Sequence, residues 1–119
     1  MDSTSKPDRS SLIHFANSAA RIPGRPGDHF ISVLQRGTLN VKLSIPVVPV
    51  RQTPHEQDEV YVVVKGRGIF FHDGKREPFE AGDLLFVAAG TEHQFEDCTA
   101  DLAVWVVFYG PKGGEVPFK

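Results

Sequence analysis

Cysteine is almost missing from this chain. Cys98 stands alone, so no intrachain disulfide can form, and a reducing, cytoplasmic setting is expected. Charge of one sign is missing as well. Thirteen Lys and Arg stand against fifteen Asp and Glu, for a formal net charge of −2, and the basic residues are scattered. A nucleic-acid or anionic-membrane surface needs a concentrated basic field, so neither partner is expected. No apolar run reaches membrane-spanning length, and the opening stretch, Met1–Ser11, has no apolar core of a signal peptide. Helical periodicity of useful length is absent too, which leaves strands as the elements to look for.

What is there reads as one domain. At 119 residues with 40% hydrophobic content, the chain is long enough to bury roughly two-thirds of its unfolded surface. Residues 1–28 form a polar arm and an irregular Pro/Gly-rich stretch, with Leu12–Phe15 as a short strand or strand-like arm. Phe30–Leu34 suits a strand, and Arg36–Gly37 a turn. Thr38–Ile45 alternates most clearly, with Leu39, Val41, Leu43 and Ile45 on one face and Asn40, Lys42 and Ser44 on the other. Pro46 and Pro49 end it or confine it to a sheet edge. Val60–Val64 is β-branched. Ile69–Phe71 and Lys75–Phe79 flank Asp73–Gly74, a hairpin signal. Asp83–Val87 and Glu92–Glu96 flank a small-residue turn, and Leu102–Tyr109 is the longest apolar run. Many short strands between glycine turns predict an all-β sandwich or barrel.

The stretch Thr53–Gly66 carries the chemistry. His55 and Glu59, with three residues between them, stand at the entry to the Val60–Val64 strand, and His93 lies near the start of the Glu92–Glu96 stretch. Imidazole nitrogens and a carboxylate converging on one point suit a divalent transition metal. Side-chain alternation puts Glu59 on one face with Tyr61 and Val63, and His93 with Phe95. His55 joins Glu59 if the strand already runs through it. The plainer alternative makes His55 and Glu59 loop residues beside Gln57 and Asp58, and His93 a turn cap. Other signals fall away. Gly66–Arg67–Gly68 lacks the third glycine and the helix of a dinucleotide loop, and no nucleophile elbow or paired-histidine metalloprotease motif occurs. Cys98 has no cue for a lowered pKa; His72 beside the turn is expected to be exposed; Arg51 and Gln52 are placed to contact an anionic ligand, but read more simply as a solvated loop.

With these residues in view, the chain resembles the cupins. Thr53, His55, Glu59 and Gly66 fall at the positions of the first cupin motif, which has two histidines, a glutamate and a glycine. Gly82, Ala88, Gly90, His93 and Asp97 fall in the frame of the second, and fifteen residues separate Gly66 from Gly82, the short spacer of small cupins. Three positions depart from the pattern: Thr53 replaces a histidine, Ala88 a proline and Asp97 an asparagine.

The resemblance implies an all-β, cupin-type double-stranded β-helix, a jelly-roll barrel, over residues 29–110, with an arm at 1–28 and a tail at 111–119. It implies His55, Glu59 and His93 as ligands of a divalent transition metal (Fe, Mn, Ni or Zn). Phe71, Phe86, Phe95, Trp105 and Tyr61 are then candidate walls of a pocket for a small molecule. The activity implied is that of a metal-dependent enzyme, a dioxygenase, isomerase, decarboxylase or lyase, acting on a small organic acid or carbonyl compound. A non-enzymatic small-molecule or metal-binding module is the alternative. Leu102–Phe108 is apolar at both alternations, so one of its faces has no core to enter, and a homodimer is expected.

Overall fold

The computed structural model of the chain describes residues 9–23, 29–46, 50–52 and 54–117. Among them lie one five-residue helix, α1 (Phe15–Ala19), and nine strands: β1 (Phe30–Arg36), β2 (Leu39–Ser44), β3 (Val50–Gln52), β4 (Asp58–Lys65), β5 (Arg67–His72), β6 (Lys75–Glu80), β7 (Leu84–Val87), β8 (His93–Glu96) and β9 (Ala103–Tyr109). They form two antiparallel sheets, one in the order β1-β2-β9-β4-β7 and the other β3-β8-β5-β6. The expected all-β jelly roll is the fold found.

The two sheets share one core. Tyr61, Val63, Val87, Val104 and Val106 from the larger sheet pack with Phe70, Phe79 and Phe95 from the smaller. Tyr61 meets Phe95 edge-on with ring centroids 5.0 Å apart, and Phe79 lies 5.5 Å from Phe95. Burying each such ring stabilises the fold by about 1.5–3 kcal/mol before entropy is charged against it.

Register explains which side chains look inward. Across the larger sheet, Lys42 stands opposite Val106, and Val106 opposite Tyr61. One pleat away, Leu43 stands opposite Trp105, and Trp105 opposite Val62. Because side chains alternate faces, the apolar side of β2 turns outward and its polar side faces the space between the sheets. Leu43 is nonetheless fully buried, because a second, smaller core covers it on the outside. Trp105 takes the edge of the Phe15 ring from α1 at 6.3 Å, and Ile31 opposite Leu43 is also buried.

Several expectations are corrected here. Leu12–Phe15 is not a strand; its last residue opens α1, where the Ser18 hydroxyl donates to the His14 carbonyl at 2.9 Å. Thr38–Ile45 is not a sheet edge, since β2 lies between β1 and β9. Arg51 and Gln52 belong to a strand, β3, paired with β8. His72 is half-buried: its ring stacks on Phe70 at 4.4 Å and Nε2 donates to Glu77 at 2.6 Å. Pro49 lies outside the described residues.

Glycine matters most at one crossing. Gly66 takes φ +88°, and a Cβ there would sit 2.8 Å from the Leu102 Cα. Only a residue without a side chain fits both the left-handed turn and the close approach.

Candidate metal centre

Three elements bring the predicted cluster together. Glu59 is the second residue of β4, in the larger sheet, and His93 is the first of β8, in the smaller. His55 precedes β4, and a bend at Glu56–Gln57 swings it back over the strand entrance. The donated hydrogen bond from the Gly90 N–H to the His55 carbonyl, 2.7 Å, fixes that position. So the strand does not run through His55, yet its imidazole still arrives beside Glu59.

The donor atoms converge. Glu59 Oε1 lies 3.4 Å from His55 Nε2 and 3.3 Å from His93 Nε2, and one ligand atom from each residue falls within 4.8 Å of the others. Glu59 and His93 are 2% and 1% exposed, which rules out the loop-and-cap alternative for both. His93 Nδ1–H donates to the Thr91 carbonyl at 2.9 Å. That bond leaves Nε2 with its lone pair toward the cluster, where the Tyr61 hydroxyl donates to it at 3.1 Å.

Electrostatics separate the two imidazoles. Burial holds His55 below the usual histidine range, against the attraction of Glu59, and the charges of His93 and Lys42 push it down further. Burial acts the same way on His93, but the adjoining Glu59 carboxylate and the Thr91 carbonyl outweigh it and raise the group. Burial and the Glu59 carboxylate together push the Tyr61 hydroxyl far up, so it stays a donor. Two buried atoms, His55 Nε2 and Glu59 Oε1, have no hydrogen-bond partner. Unpaired buried donors and acceptors are costly. A cation between them would satisfy both, so the residues present fit a metal ion.

The cluster opens into a cavity of about 220 Å³ lined by Phe30, Lys42, Ser44, His55, Glu59, Tyr61, Phe95, Val106 and Phe108. A wider hollow of about 460 Å³, between His55 and Pro111, touches neither Glu59 nor His93. Of the expected apolar walls, Tyr61 and Phe95 take that role. Phe86 is half exposed on the outer face, Trp105 packs on Phe15, and Phe71 lies under the Arg76 guanidinium. Thr53 lies outside the described residues, as do the side chains of Arg51 and Gln52. The reading of the sequence passed over Lys42 and Asp58. The alternation of β2 had put Lys42 on the polar face, and only the two-sheet register shows that this face looks inward.

The remaining motif positions serve the backbone. Gly82 and Gly90 adopt φ +95° and +80°, and Asp97 follows β8 at φ +50°, a left-handed conformation that Asp and Asn tolerate best among side-chain residues. The sequence model of the cupin domain family matches residues 45–109, more than half of the chain. The chain is a cupin. An uncharacterized protein of Streptomyces coelicolor is 41% identical over 61 residues, 51% of this chain and 58% of its own length. The oxalate-binding protein of Thermotoga maritima is 39% identical over 44 residues, 36% of each chain. Among solved structures, a cupin 2 conserved barrel domain protein from Salinispora arenicola superposes with a TM-score of 0.58 at 20% identity, over 68% of this cupin and 74% of that chain; that likeness concerns the fold. The cupin spans less than two-thirds of the length of the curated relatives it matches.

Proposed function

We propose that this cupin is a metal-dependent enzyme acting on a small organic acid or carbonyl compound, with His55, Glu59 and His93 holding one divalent transition metal. The observation that carries the reading is the pair of orphaned buried atoms, His55 Nε2 and Glu59 Oε1, facing each other beside His93 Nε2. Two imidazoles and one carboxylate are the ligand set that leaves coordination positions open. A bound ion of this kind (Fe, Mn, Ni or Zn) supplies Lewis acidity toward substrate oxygens and acidifies bound water. The chain's own residues do the rest. Thr91 holds the His93 tautomer, Tyr61 keeps a proton to donate at the cluster, and Phe30, Phe108 and Val106 exclude water from the cavity mouth. Dioxygenase, isomerase, decarboxylase and lyase chemistries all fit this frame.

Elemental analysis tests it. The purified protein should carry one transition metal per chain, and His93→Ala or Glu59→Ala should lose nearly all of it. Unchanged metal content in His93→Ala removes the assignment. A second reading, a non-catalytic binding module, draws support from the relative named as an oxalate-binding protein. A metal-loaded chain that binds small acids but turns none over, with or without oxygen, favours it.

Two further parts of the reading concern the whole chain. A cytoplasmic location draws its support from the single cysteine, which suits a reducing compartment. A homodimer is supported by the outer face of the larger sheet. There Leu84 and Phe86 are 65% and 50% exposed, next to Val62 and Val60 across the register.

A further inference from the structure

The cavity beside the cluster holds one cation of its own. Lys42 projects from β2 into it, with Nζ 4.7 Å from the centroid of the Phe30 ring and 5.5 Å from that of Phe108. Both rings line the same cavity, as does the Ser44 side chain one inward position further along the strand. Among the described residues no carboxylate pairs with Lys42; the ion pairs there involve His55, His72, His93, Arg76 and Lys112. A lysine ammonium is a compact, strongly hydrated charge, and two ring faces satisfy its field without giving its three N–H donors an acceptor.

We infer that Lys42 is the specificity-determining residue for the ligand: it binds a carboxylate at one end of a small acid whose other end lies at the His55–Glu59–His93 cluster. The assignment rests on the metal reading above for the second end only. Three observations converge on a carboxylate. The cavity, at about 220 Å³, falls below the range of roughly 300–1,000 Å³ that holds drug-sized ligands. Beside the cluster it offers one ammonium, Lys42, and two hydroxyls, Ser44 and Tyr61; among the described residues its lining has no guanidinium fork or glycine-rich run of backbone donors such as phosphates commonly meet. The rings of Phe30 and Phe108 flank that ammonium and narrow the approach to a flat, slender group.

The test uses probes that differ at one end. Succinate and succinamate share a carboxylate for the cluster, but only succinate presents a second charge to Lys42; malonate and glutarate, with their monoamides, vary the span. Calorimetric titration of the metal-loaded chain should give succinate, or the best-fitting length, an affinity about tenfold or more above that of its monoamide, as a close opposite-charge pair does. In Lys42→Met that ratio should fall to about one, through weaker diacid binding with unchanged monoamide binding. Lys42→Arg should restore most of it. Equal affinity for acid and monoamide at every length in the natural chain overturns the inference, and so does a ratio that survives in Lys42→Met. Loss of both probes alike in Lys42→Met and Lys42→Gln overturns it too, since that is what a purely structural lysine between two rings would do. Metal content measured on the same samples separates the two readings. If no variant or natural chain holds metal, the metal reading fails while the acid-to-amide ratio still judges Lys42.

Discussion

The Asp58 carboxylate accepts the backbone N–H of Glu115 at 2.9 Å, across fifty-seven residues of chain. Its other oxygen accepts the N–H of Ala89, also at 2.9 Å, and the residue is 5% exposed. Asp58 therefore ties the start of β4 to the turn before β8 and to the segment after β9. Gly114 packs against it so closely that a Cβ there would come within 2.7 Å of Oδ1. The turn it holds also donates from Gly90 to the His55 carbonyl, so two of the three cluster residues depend on it.

Asp58→Ala would strand two backbone donors in a buried place. Leaving such groups unsatisfied costs about 1–3 kcal/mol each, so a loss of about 2 kcal/mol or more in urea unfolding is expected, together with weaker metal retention. Asp58→Asn keeps one acceptor oxygen and should fall between. A change below about 0.5 kcal/mol in the alanine variant, the ordinary scatter of surface substitutions, would show that other groups hold the turn.

Gly68 and Gly37 make a matched pair. A Cβ at Gly68 would meet Cys98 Sγ at 2.6 Å, the Cys98 Cα at 3.0 Å and the Glu96 carbonyl at 3.0 Å; at Gly37, with φ +57°, it would meet nothing within 4 Å. Gly37→Ala should cost about 1 kcal/mol from its backbone conformation alone. Gly68→Ala must push the end of β8 and should cost about 1–3 kcal/mol, as overpacking does, and more than Gly37→Ala. Adding Cys98→Ala should recover only part, because the backbone contacts remain. Equal melting temperatures for the two glycine variants would contradict this packing.

Glu96 gives a signed pH dependence. The Arg76 guanidinium, 2.9 Å from Oε1, and the Gln94 amide hold its carboxyl below the usual glutamate range. A group whose pKa falls on folding adds stability above its unfolded value, near 4.5, and loses it as pH drops through the lower folded value. Glu96→Gln should therefore melt slightly below the natural chain at pH 7, and the gap should close as the pH drops below that value. Because the pair lies at the surface, the gap should also shrink in salt. A gap that widens in acid would mean the carboxylate is not the stabilising form.

The outer face of the larger sheet carries the assembly prediction. Sedimentation at micromolar concentration should give twice the chain mass, and Phe86→Glu should give the single mass with the melting temperature nearly kept. A natural chain that sediments as a monomer excludes the dimer. So does a Phe86→Glu variant that stays dimeric, at least through this face.

Most of the strands and the meeting of the cluster residues were legible in the sequence for definite reasons. Val60–Val64, Asp73–Gly74 and Leu102–Tyr109 carry β-branched runs and turn residues that local physics decides, and β4, the β5–β6 hairpin and β9 stand where they were expected. That His55, Glu59 and His93 come together was legible because their residue types and their spacing both point to one site. Face assignment was the weak point. Alternation tells which side chains share a face, but not which face meets the core. In β2 and β9 both faces are buried, one under the second sheet and one under α1, so Trp105 and Lys42 exchanged the sides that hydrophobicity alone would give them. Leu12–Phe15 was misread because a five-residue helix is too short to show its period.

Glu59 belongs to one sheet and His93 to the other, so an ion held between their atoms would also clasp the two layers of the sandwich. The layers could not then part without releasing it. Binding and resistance to unfolding then become one quantity seen from two sides: at a hundred times the dissociation constant an ion would add about 2.7 kcal/mol to the stability of the whole molecule. A simple melting curve, recorded against metal concentration, would act as an affinity meter. The availability of metal in the surroundings would in turn govern how long each copy of the chain survives.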